Sequence, residues 1–103
     1  MNRLDAMHLF VRIVESGSFT AVAEQMGLAR SVVTRQIAAL EAHLGVKLMV
    51  RNTRRLSLTS AGSAYLEKCR VILDLVDAAE ASVILHKQSE HESHSPIHAL
   101  SNN

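Results

Sequence analysis

Proline occurs once and glycine four times in 103 residues. That is too few for a many-stranded β protein, whose tight turns call for both. Three aromatics and no tryptophan leave the core to aliphatic side chains. A single cysteine, Cys69, excludes a disulfide framework and points to a reducing compartment. On a helix its default is a packed thiol, since Lys68 and Arg70 point elsewhere. No apolar run is long enough to span a membrane, and the opening MNRLDAMHLF turns polar too early for a signal peptide. The expected location is the cytoplasm. There is also no nucleophile elbow, no phosphate-binding Gly loop and no metal-ligand pair at helical spacing, so neither an enzyme nor a cofactor is expected. His86, His91, His94 and His98 have no cysteine near them and no fold to orient them, so no metal is expected.

What is present favours helices: Leu, Ala, Glu, Arg and Val dominate. The net charge of +1 hides an asymmetry. Residues 1–60 hold eight Lys/Arg against four acids, whereas residues 61–103 hold three against six. A basic N-terminal half suits a polyanion.

A first helix is expected from about Asn2 to Glu15, with Leu4, Met7, Phe10, Val11 and Val14 on one face. Gly17 suits a left-handed cap. Ser18 then caps a short second helix, with Ala23 and Met26 inward, which stops at Gly27. The third runs from about Arg30 to His43 and closes at Gly45; Val33, Ile37, Leu40 and Leu44 form its apolar stripe. Two helices joined by Met26-Gly27-Leu28-Ala29, with Leu28 filling their angle, carry the helix-turn-helix signature. Lys47–Arg51 and Arg55–Thr59 then alternate as a β-hairpin, with Leu56 and Leu58 inward. A two-stranded hairpin is marginal alone, so it must pack on the helices.

Thr59 or Ser60 caps a fourth helix, expected to reach about Lys87. Tyr65, Cys69, Ile72, Val76, Ala79 and Val83 follow a coiled-coil-like spacing, and Leu66, Leu73 and Leu75 widen the stripe. Such a helix, about 40 Å long at 1.5 Å per residue, exceeds what so small a domain can cover. It is expected to dock at its start on the first domain and beyond that on another chain, as a homodimer or higher even oligomer. Residues 1–59, 60–88 and 89–103 therefore read as a helix-turn-helix domain with a hairpin, a dimerisation helix and a disordered tail.

Polar groups converge at one end of this arrangement. Arg30, Ser31, Thr34 and Arg35 stand at the start of the third helix, where the helix dipole disfavours positive charge. In a helix-turn-helix those positions face base edges in the major groove. Arginine suits them, because its fork matches guanine O6 and N7. Ser18 and Thr20 at the second helix, with Arg51, Arg54 and Arg55 at the hairpin tip, suit backbone phosphates or the minor groove.

Three stretches carry a more specific likeness: FVRIVESGSFTAVAEQMGLARS, VTRQIAALEAHLGVKLMVR and RNTRRLSLTSAG. Through them residues 1–88 resemble the N-terminal winged helix-turn-helix and linker helix of the LysR-type transcriptional regulators. The resemblance implies a mainly α fold, three helices and a β-hairpin wing followed by a long linker helix. It puts Arg30, Ser31, Thr34 and Arg35 at the recognition-helix contact positions and Arg54 at the wing arginine. It further implies sequence-specific binding of double-stranded DNA as a dimer on a pseudo-palindromic operator. The alternative is a short partner that pairs with full-length regulators through the linker helix. Two residues depart from the family pattern: Ala29 stands where a Ser or Thr cap is usual, and Met49 replaces Phe or Leu. The family's effector-binding domain does not follow in these residues, so no small-molecule effector site is expected.

Overall fold

A computed structural model describes residues 2–52 and 55–93, with side chains through Ser89. The element order is α1 (Arg3–Ser16), α2 (Phe19–Met26), α3 (Arg30–Leu44), β1 (Met49–Arg51), β2 (Leu56–Leu58) and α4 (Ser60–Ser93). One compact unit ends at Leu73 and a second begins at Asp74.

The three short helices are bounded as their end residues dictate. The Asn2 side chain accepts from the Asp5 amide (3.1 Å), and Ser18 Oγ accepts from the Ala21 amide (3.1 Å). Gly17 closes α1 at φ 73°, a left-handed conformation that other residues reach only with strain. The helices pack pairwise around Phe10, Leu9, Ile13, Val22, Val33 and Leu40, all fully buried. Leu28 packs against this core from the α2–α3 turn, as its position in the motif suggests.

Three residues of the expected stripes lie outside the core. Leu4, Met26 and Leu44 are all exposed. Each stands in the first or last turn of its helix, beyond the stretch that neighbouring helices cover.

The strands pair antiparallel, with Met49 opposite Leu58 and Arg51 opposite Leu56. Leu48 and Met49 are buried, and Leu56 and Leu58 pack against the core, so the helices support the hairpin. Thr59 then joins hairpin to helix. Its amide donates to the Leu48 carbonyl (3.0 Å), its hydroxyl donates to the Lys47 carbonyl (2.7 Å), and its Oγ1 accepts from the Gly62 amide (2.9 Å).

The start of α4 belongs to the first unit. Leu66 and Cys69 are buried there, and the Tyr65 ring meets Phe10 at 5.6 Å between centroids. This corrects the expected seam: Cys69 is fully buried within its own chain and cannot also face a second one. Burial pushes the Cys69 thiol up, which keeps it protonated and unreactive at neutral pH. Tyr65, also raised mainly by burial, reaches about 12. The second unit, taken alone, is helical as far as Ser93, and its Leu75, Val83, Ile84 and Leu85 are exposed. Residues 88–93 contain neither Gly nor Pro, so nothing ends the helix at Lys87. The expected tail therefore loses residues 89–93 to α4, and its remainder, 94–103, lies outside the described residues.

Of the four glycines, Gly62 alone has no room for a side chain. A Cβ there would run into the Leu48 carbonyl oxygen and lie 2.8 Å from its carbon. Gly62→Ala is expected to cost about 1–3 kcal/mol through overpacking against backbone, read as a lower urea midpoint. An unchanged midpoint would show that α4 is free to shift away.

Candidate nucleic-acid interface

The fold sorts the polar residues into two groups on either side of α3. On one side, Ser18, Thr20, Arg30, Arg51 and Arg55 line a single cleft of about 190 Å³. Three arginines and two hydroxyl-bearing residues line it, with no Asp or Glu among its described residues. Arg54, the remaining expected wing arginine, lies outside the described residues. On the other side, Arg35 lines a separate hollow with Asn2, Asp5 and Gln36. Ser31 is exposed and Thr34 half-buried, the latter facing the groove between α3 and β1. Arg30 thus groups with the residues expected to hold backbone, not with Arg35.

No side chain caps the start of α3. Ala29 is the N-cap residue, with extended backbone and no side-chain hydrogen bond. Its carbonyl accepts from the Val32 and Val33 amides, so only backbone groups close the first turn. The amides ahead of them keep unused donor capacity beside Arg30 and Ser31.

The wing residues in the cleft are tied to neighbours, Arg51 through its side chain and Arg55 through its backbone. The Arg51 guanidinium carbon sits 4.2 Å above the centre of the Phe19 ring. The Asn52 amide donates to the Arg55 carbonyl (3.0 Å), and the Arg55 amide donates to Asn52 Oδ1 (2.8 Å), which closes the strand ends onto each other.

Beneath them lies Glu41, whose role the periodicity of α3 conceals. It is the only buried charged side chain among the described residues. Its Oε2 accepts from the Leu48 amide (2.7 Å) and the Met49 amide (3.3 Å), and its Oε1 lies 3.6 Å from Lys47 Nζ. One carboxylate on α3 thereby satisfies two buried donors at the start of β1. Its position on the edge of the apolar stripe, at i+4 from Ile37, was the available signal.

The profile of the bacterial regulatory helix-turn-helix proteins of the lysR family matches residues 4–63, more than half of the chain. The chain belongs to the LysR family. Among curated relatives, it is 48% identical over 83 residues to an HTH-type transcriptional repressor of Pseudomonas aeruginosa, covering 81% of this chain and 26% of that protein. It is 38% identical over 100 residues to the HTH-type transcriptional activator AaeR of Escherichia coli, covering 97% of this chain and 30% of that protein. The chain thus spans between a quarter and a third of these relatives. Among solved structures, it is similar to the DNA-binding domain of CbnR in complex with DNA (TM-score 0.75, 34% identity, 82% of this chain and 98% of that one). It is also similar to that of BenM on its catB site 1 DNA (TM-score 0.78, 29% identity, 82% and 96%). The LysR family is one of transcriptional regulators, not enzymes, and the winged helix-turn-helix expected from the sequence is the fold observed.

For this LysR-family chain, Glu41 makes a specific forecast. Glu41→Ala leaves the Leu48 and Met49 amides buried without a partner, at an expected cost of about 1–3 kcal/mol for each unsatisfied group. Glu41→Gln keeps an acceptor and should cost less. Hydrogen exchange at both amides provides the check: protection should fall in the alanine variant, and unaltered protection would remove Glu41 from this role.

Proposed function

We propose that this chain is the DNA-binding part of a LysR-type regulator and binds double-stranded DNA sequence-specifically. The observation that carries the reading is the division of polar groups about α3: a carboxylate-free basic cleft on one side and Arg35, with the exposed face of the helix, on the other. The likeness to solved DNA complexes of family members, above 25% identity, supports it.

In this reading the first turns of α3 enter the major groove. Arg35, Ser31 and Thr34 read base edges. Arg30 joins Ser18, Thr20, Arg51 and Arg55 on the sugar-phosphate backbone, because it shares their cleft. Arg54 is assigned to the same set from its place in the sequence. The phosphate repays the Arg30 charge its unfavourable site at a helix start, since the field of a polyanion exceeds the few tenths of a kcal/mol that the dipole costs. The exposed apolar residues of the second unit, Leu75, Val83, Ile84 and Leu85, with the half-buried Val76, form the surface through which two chains pair. A dimer then presents two recognition helices to successive major grooves of a pseudo-palindromic site.

Selection from a random pool of DNA duplexes, followed by binding of single variants, tests the assignment. Arg35→Ala should cost about 1–3 kcal/mol on the selected site and relax one base pair. Arg30→Ala should weaken binding on all sequences alike and lower the salt slope by about one. A uniform loss from Arg35→Ala would move that residue to the backbone set. Enriched sequences with only one half-site would refute the dimer.

A further inference from the structure

We infer that Phe19 is a positioning residue for DNA binding: its ring face seats the Arg51 guanidinium so that the wing reaches a phosphate with this side chain already ordered. The inference rests on the DNA-binding reading above and adds to it a residue that does not itself touch DNA.

Phe19 opens α2 and Arg51 ends β1, so the pair bridges two elements far apart in sequence. The guanidinium carbon lies 4.2 Å from the ring centre, well inside the range in which the negative face of an aromatic ring attracts a cation. Arg51 has no other described partner: the ion pairs among the described residues are Lys47–Glu41 and Arg70–Glu15. A ring face holds the guanidinium plane but consumes none of its N–H donors, which leaves the fork available for an anion. A carboxylate in the same place would hold the side chain equally well and cancel the charge that DNA needs.

The choice of residue fits this role. Elsewhere the core around α2 is built from Val22, Ala23, Val33 and Ile37, so an aliphatic side chain would serve the packing of Phe19. Only an aromatic one also supplies a seat for a cation. Without it, the long Arg51 side chain would lose its rotamer freedom at the moment of binding. The cleft beside it is lined by the other phosphate-directed residues, among them Ser18, the N-cap of α2, and Thr20 in its first turn. The Phe19–Arg51 contact sets the distance between that helix end and the wing.

The test uses the whole chain and a random-sequence DNA duplex, since a phosphate contact does not depend on sequence. Phe19→Leu should weaken binding about threefold to tenfold and lower the salt slope by about one. Phe19→Tyr should restore both. In an Arg51→Ala background, Phe19→Leu should have no further effect. An equal loss in that background, or no rescue by tyrosine, would reduce Phe19 to a packing residue and overturn the inference. In the free wild-type protein, the Arg51 side-chain protons should show upfield ring-current shifts by NMR. Ordinary shifts there would overturn it even if Phe19→Leu failed to fold. A flat salt response of the wild-type chain would instead refute DNA binding as such.

Discussion

The placement of the wing depends on two backbone amides that must not be left alone. β1 begins inside the fold, where the Leu48 and Met49 amides have no water to turn to. The Glu41 carboxylate takes both, and because Glu41 belongs to α3, the start of the wing is tied to the recognition helix itself. A hairpin of three-residue strands has little stability of its own. Its angle is set by that carboxylate below, by Thr59 behind and by the Phe19 ring beside it. The charge of Glu41 is tolerated because two donors and Lys47 surround it, which leaves it a hydrogen-bond acceptor rather than an exposed patch of negative potential.

The scarcity of aromatics gains a meaning once the contacts are known. All three stand where separate elements meet. Phe10 of α1 meets Tyr65 of α4, and Phe19 of α2 lies under Arg51 of β1. The interior of the helical bundle is left to Leu, Ile, Val and Ala, which fill space without direction. Orientation-dependent side chains are thus spent on junctions. The same economy applies to hydrogen bonds: Ser18, Asn52, Thr59 and Glu41 each close an end or a joint.

Much of this was legible in the sequence, and for identifiable reasons. Helix ends were written in Gly17, Gly27 and Gly45 and in the Ser18 and Thr59 caps, which act locally. The stripe of Val33, Ile37 and Leu40 followed from periodicity alone. What failed was periodicity used past its reach. Leu44 and Met26 continue their stripes, but the neighbouring elements end before they do. Tyr65 and Cys69 fit a coiled-coil spacing, yet an intrachain surface takes them first, and a spacing cannot say which partner is nearer. The sequence offered the polar residues of α3 only as one group. Its division, with Arg30 on the wing side and Arg35 on the other, depends on where α2 and the wing sit, and no local rule contains that. Glu41 left only a weak signal, its place at the edge of the apolar stripe, and Phe19 none, because each acts through a residue on another element.

The close approach of Gly62 to the Leu48 carbonyl, together with the doubly bonded Thr59, leaves no slack between wing and α4. In mechanical terms the two are geared. A twist of the first turns of α4 has no loose residue in which to dissipate and must be passed to β1, hence to the seat of Arg51. The joint that stabilises the domain therefore also ties the placement of the wing to that of the first turns of α4.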